Sequence, residues 1–154
     1  MIVVSDTSPV TTLLQIGKAD LLQQMYGEVL IPEAVRDELL TLHPSLPDCF
    51  QCVPILNRNE VQRLQNSLDL GEAEAIVLAK EKHADLLLVD EMGGRTVAAR
   101  EGVPFVGLIG VLIKAKQDGR ISSLRQLIVE IESKTTFYLS DVLKRAALKI
   151  ANEL

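Results

Sequence analysis

Short aliphatic runs separated by longer stretches of helical period constrain the fold of this chain more than any other feature. Ile2-Val3-Val4, Val29-Leu30-Ile31, Leu86-Leu87-Leu88-Val89 and Pro104-Phe105-Val106 are each bounded by turn or cap residues. Their hydrophobicity is continuous rather than alternating. Both faces of such strands are covered, as happens when helices cross over between parallel strands. Helical patterns fill the intervals: after Ser8-Pro9, from Pro32, around Asn59 to Gln65, from about Gly71 to Lys82, after Gly93-Gly94 and after Gly107. Proline opens a helix readily because its missing N–H has no intrahelical partner there. The tail from Ser122 predicts a helix to about Glu132, a short extended piece at Phe137-Tyr138-Leu139, and a last helix capped by Ser140 or Asp141. The expectation is one α/β domain over residues 1–154, in which about 122–154 form a helical C-terminal extension of the same unit.

Composition narrows the function classes. The 154 residues are 47% hydrophobic and 24% charged, which fits a folded domain and not a disordered chain. Aromatics make up 3% and tryptophan is absent, so a stacking platform for bases is not expected. A net charge of −5 argues against a general nucleic-acid coat protein, which binds by neutralising phosphates. It does not exclude a local site, because cations held by clustered carboxylates reverse the sign of the field there. No basic segment leading into an apolar run opens the sequence, and no apolar run approaches the roughly 18 residues of a membrane span. A cytoplasmic protein without membrane contact is expected. Cys49 and Cys52 form a C-x-x-C followed by Val53-Pro54-Ile55, which reads as extended rather than as a redox-active helix start. Two reduced loop thiols are the expectation. His43, before a proline, and His83, after a helix, read as surface residues, which disfavours zinc.

The carboxylates carry the chemistry. Asp6 and Asp90 each follow a buried strand and precede a helix, so each belongs at the strand carboxyl ends where open α/β sheets bind ligands. A helix N-cap is the competing explanation for either one. Glu38 falls inside the stripe made by Val35, Leu39 and Leu42, which predicts a buried carboxylate in need of a cation or a hydrogen-bond partner. Asp69 and Glu72 have the spacing of a capping box, a sufficient structural role for Glu72. Glu74 enters the all-apolar run Ala75–Ala79 and is the stronger ligand candidate of the two. Glu91 is either an outer ligand or a solvent-facing acid. Acids gathered without an evident Lys or Arg partner repel unless a cation intervenes. All-oxygen donors select Mg²⁺ or Mn²⁺.

These residues resemble the PIN-domain nucleases. Asp6-Thr7-Ser8 looks like the opening motif, Val35–Leu39 like the early-helix motif, and Glu74 and Asp90 like the third and fourth acids. Gly71–Ala75, Asp90–Arg95 and the Gly-rich stretch from Val106 to Gly119 are similar to a branch of VapC-type toxins. Two features depart from that pattern: Gly93-Gly94-Arg95 in the segment after Asp90, and Glu at 74 where many relatives carry Asp. The resemblance implies a three-layer fold around a mostly parallel sheet and endonucleolytic cleavage of RNA leaving a 5′-phosphate. It also implies a cognate antitoxin as partner and a homodimer. It makes Asp6, Glu38, Glu74 and Asp90 the catalytic metal ligands, with Ser8 supporting Asp6. Arg95 is either a phosphate contact or an ordinary surface arginine. Two metal ions would activate water and stabilise the leaving oxygen, so no protein nucleophile is needed. A phospho-receiver domain and a catalytically silent interaction module of the same fold are the competing readings. The receiver suffers from having a single acid after the first strand and no Lys after the last.

Overall fold

The computed structural model describes residues 1–154. Its centre is a sheet of five parallel strands: β1 (Val3–Ser5), β2 (Val29–Ile31), β3 (Phe50–Cys52), β4 (Leu86–Leu88) and β5 (Phe105–Val106), in the order β3-β2-β1-β4-β5. Every strand pair in the sheet is parallel. Four strands lie where the aliphatic runs predict them. The fifth, β3, occupies the segment expected to be a loop around Cys49 and Cys52. It is an edge strand with Gln51 and Cys52 exposed, so it lacks the continuous apolar signature of the others. Cys49 is buried and Cys52 exposed, and both thiols are free.

Nine helices connect and cover the strands: α1 (Thr7–Gln15), α2 (Asp20–Tyr26), α3 (Glu33–Leu42), α4 (Arg58–Leu64), α5 (Leu70–Glu81), α6 (Met92–Arg100), α7 (Leu108–Gln117), α8 (Leu124–Lys134) and α9 (Asp141–Ile150). The helix predicted after Ser8-Pro9 ends at Gln15. Gly17, at φ +70°, turns the chain through the left-handed region before α2 starts. The segment 135–140 is irregular and joins no sheet. Ser140 caps α9 by accepting the Leu143 N–H.

Two apolar cores lie on opposite faces of the sheet. Val4, Leu87 and Val89 pack with α4, α5 and α6 through Val61, Leu64, Ile76, Leu78 and Val97. Val3, Val29 and Leu88 pack with α1, α7, α8 and α9 through Val10, Leu13, Leu112, Ile131 and Leu148. This is the three-layer arrangement in which adjacent strand residues point to opposite cores. Glu153 ties down the C-terminal helices. It accepts the Leu124 and Arg125 backbone N–H groups at the start of α8, at 2.6 and 3.1 Å, and pairs with Lys116 of α7 at 2.8 Å.

Candidate active site

Parallel register places two of the acids. Ser5 of β1 is paired with Leu88 of β4, and the Asp6 N–H donates to the Leu88 carbonyl at 2.9 Å. Asp6 and Asp90 therefore leave neighbouring strands at the same edge of the sheet. An open cleft of about 990 Å³ lies there, lined at one end by Asp6, Glu38, Asp69, Glu72, Asp90 and Glu91.

Neither aspartate is spent on capping the helix that follows it. Asp6 stands at the N-cap position of α1 without a side-chain cap bond, and the N-cap of α6 is Glu91. Asp90 instead reaches across to the next crossover, where Oδ1 accepts the Leu108 N–H at the start of α7 at 2.7 Å. The N-cap of α7 is Gly107, which has no side chain to do this. A Cβ there would stand 3.0 Å from Asp90 Oδ1. Ser8, expected beside Asp6, donates instead to Asp90 Oδ2 at 3.1 Å. Being two residues on, in the first turn of α1, its hydroxyl faces the neighbouring strand's acid.

Glu38 belongs to the cleft but is not buried. Its residue is exposed, and Leu42 of the expected stripe is 60% exposed too, because this end of α3 borders open space where the stripe predicted a core. Thr7 donates to Glu38 Oε2 at 2.7 Å and fixes its direction. Gly71 permits this approach, since a Cβ there would lie 2.6 Å from Glu38 Oε1.

The two glutamates of α5 point to different sides of the helix. Glu72 does complete the capping box with Asp69, its Oε1 accepting the Asp69 N–H at 3.3 Å, and it also lines the cleft. Glu74 is 3% exposed, yet it points the other way. Its Oε1 accepts the Ala34 N–H at the start of α3, and Oε2 pairs with Arg58 of α4 at 2.7 Å. The structure brings Asp6, Glu38 and Asp90 together with Glu72 and Asp69 and leaves Glu74 outside the cleft. Side chains two apart on a helix diverge by about 200°, so one of the pair had to be excluded.

Burial governs the electrostatics. Desolvation lifts the Asp6 carboxyl from 3.8 to about 7, with Glu72, Asp69 and Glu38 adding like charge and the Thr7 N–H pulling the other way. Desolvation also raises Glu72 and Asp90; the Leu108 N–H, Ser8 and Arg95 partly offset this at Asp90. Arg95 is the only Lys or Arg lining the cleft, and its guanidinium lies 5.3 Å from the Phe105 ring centroid. His43 is half-buried and shares a 2.7 Å hydrogen bond with Thr11, so it is less free than a surface loop residue.

The donor set suits a hard cation in one way only. No three acids converge into a ready-made cage. Mg²⁺ does not need one: it commonly keeps several waters and takes one or two carboxylates plus substrate phosphate. Asp6 and Asp90, partly desolvated on adjacent strands, fit that role, with Glu38 and Glu72 within the same cleft for water-mediated contact.

An all-parallel sheet with carboxylates collected at its carboxyl edge is the α/β arrangement in which the strand ends border a ligand-binding crevice. The chain belongs to the PIN-domain family: residues 2–153 match the family model described as "DUF3368: PIN domain". No curated protein matches it. The strand order also differs from the 2-1-3-4-5 order of receiver domains, which removes the rival signalling reading. No helix is long and apolar enough to cross a membrane.

Proposed function

We propose that this chain is a Mg²⁺- or Mn²⁺-dependent endoribonuclease, the toxin member of a toxin–antitoxin pair. One observation carries the reading: Asp6, Glu38, Glu72 and Asp90 line a single cleft in a chain of PIN-domain membership, and Asp6 is too buried to ionise comfortably without a cation. Metal bound there would supply positive charge for the phosphodiester and an acidified water for its hydrolysis. The residues then divide the remaining work. Asp6 and Asp90 are the principal ligands, and Glu38 and Glu72 act through water. Ser8 and the Leu108 N–H hold the Asp90 carboxylate in one orientation, Thr7 does the same for Glu38, and the Asp69 N–H for Glu72. Glu74 serves the scaffold. A homodimer and a cognate antitoxin complete the proposal. Val129 of α8 and Val142 of α9, both exposed and outside the cleft lining, offer apolar surface for protein contact.

The test is cleavage of single-stranded RNA by the purified chain. Products are expected with Mg²⁺ or Mn²⁺, little with Zn²⁺, and none in excess EDTA. Undiminished cleavage in EDTA would refute the metal mechanism.

A further inference from the structure

We infer that the half of the cleft beyond the acids is a nucleobase slot, so that the substrate is an unpaired stretch of RNA read at a base beside the cleaved phosphate. The inference rests on the ribonuclease reading above. The cleft does not stop at the carboxylates. It continues as one cavity past α1 to the C-terminal residues of segment 135–140 and α9.

The two sides of this extension differ in chemistry. From α1 come Thr12 and Gln15, one and two turns beyond Ser8, with Thr11 beside them held by His43, which gives a hydroxyl and an amide leading away from the acids. From α7 and the C-terminal segment come Ile109, Ile113, Tyr138 and Leu143. A nucleobase matches such a slot because its edges carry donors and acceptors while its faces stack on apolar or aromatic groups. The apolar stripe of a partner helix would offer the Thr12 hydroxyl and the Gln15 amide no hydrogen-bond partners. Tyr138 is 83% exposed, and Phe137 beside it also lines the cleft, so two of the five aromatic residues in the chain stand on this wall. The low aromatic content predicted no stacking surface, but two rings in the right place suffice for one base. Arg95 stands beside Gly107 and Asp90, and as the only cationic side chain of the cleft it is available to a phosphate next to the slot. A base held in a duplex cannot present its face to Tyr138, so the slot selects unpaired RNA.

The experiment titrates a short single-stranded RNA, the same RNA with one abasic site, and an RNA duplex into the Asp6→Asn chain, which is expected to bind without cutting. Tyrosine emission and the anisotropy of an end-labelled strand report binding; the chain has no tryptophan to mask the former. The single strand should quench the emission. Tyr138→Ala should weaken affinity about tenfold, the order that one stacked base contributes. Tyr138→Phe should retain affinity. Gln15→Ala should weaken binding unequally among RNAs of different base, and the abasic strand should bind no better than the parent strand binds Tyr138→Ala. Both side chains are exposed, so neither variant endangers the fold. Equal affinity in Tyr138→Ala and Gln15→Ala, or a duplex bound as tightly as the single strand, overturns the slot. If the chain with Asp6 intact still cleaves RNA in that case, the ribonuclease reading stands and the slot alone falls. If it cleaves no RNA at all, both fall. A dimer that dissociates in Leu143→Asp while Tyr138→Ala cleaves normally would assign the surface to a second copy and also overturn the proposal.

Discussion

Arg58 Nη1 lies 2.7 Å from Glu74 Oε2, while the other oxygen of the same carboxylate accepts the Ala34 N–H at 2.9 Å. This buried acid joins α4, α5 and the start of α3, and its charge is answered without any metal. Glu74→Ala should therefore cost about 1–3 kcal/mol of stability, the range for orphaning a buried hydrogen-bonding group, and leave cleavage within a few-fold once the variant is folded. Glu72→Gln should do the reverse. Glutamine keeps the capping interaction, so melting should barely move while initial cleavage rates fall at least tenfold. Rates and melting temperatures of the two variants decide this, and a silent Glu72→Gln would remove Glu72 from the site.

Metal should stabilise the fold. A ligand that binds only the native state at about 100 times its Kd adds about 2.7 kcal/mol. Raising Mn²⁺ to saturation should lift the melting temperature of the parent chain and move that of an Asp6→Asn, Asp90→Asn double variant much less. A flat titration of the parent would count against the cleft as a cation site.

The metal-free chain should lose stability as pH rises between about 4 and 7. Asp6 titrates near 7 in the fold against 3.8 in the unfolded chain, so within that window the native state holds the extra proton. Removing it withdraws stability, to a limit on the order of 4 kcal/mol for a shift of this size. Glu153 and Glu101, both lowered to about 2, act in the opposite sense, but only below about pH 4.5. Melting curves in EDTA across this range should therefore slope downward with pH in the parent and become shallower in Asp6→Asn, where the raised Glu72 and Asp90 still contribute in the same sense. Saturating Mg²⁺ should also flatten the slope, because it favours the ionised carboxylate. A rising EDTA curve would contradict the burial of Asp6.

Glu153 makes a separate prediction for the C-terminal helices. Partial desolvation works against its ionisation, but Lys116 and the N–H groups of Arg125 and Leu124 outweigh it and hold the carboxyl at about 2. Glu153→Ala should cost about 2 kcal/mol, the scale of losing charged hydrogen bonds, and should expose α9 to limited proteolysis before the rest of the chain. Unchanged digestion kinetics would show that α9 is held by its apolar contacts alone.

What the sequence discloses tracks how local the determining interactions are. The capping box of Asp69 and Glu72 is a four-residue pattern and occurs as read. The acids at Asp6 and Asp90 follow from strand ends, and register alone brings them together. The partner of Glu74 is Arg58, sixteen residues away on another helix, and no spacing rule within α5 announces it. Without that pairing, a buried glutamate looks like a ligand and a capping glutamate looks merely structural. Glu38 misled in the opposite direction: its stripe predicted a core where α3 in fact borders the cleft. β3 is silent in the sequence because an exposed edge strand has little apolar signature. The spacing of Asp69 announces only a cap, though its nearness to Asp6 follows once Glu72 is placed in the cleft. The Asp6-Thr7-Ser8 motif held the signal for the two hydroxyl contacts, but not the assignment of Ser8 to Asp90.

The bond from the Leu108 N–H to Asp90 also bears on the order in which the chain is made. Of the five strands β1 is made first, yet its neighbour β4 begins at Leu86, and the amide that orients Asp90 comes eighteen residues after that acid. A nascent chain halted before α7 carries every acid of the cleft but lacks the group that aims one of them, as well as the Phe137 and Tyr138 wall. The cleft is thus completed last, and if the chain cuts RNA as proposed, an unfinished copy still attached to its own messenger is poorly equipped to cut it.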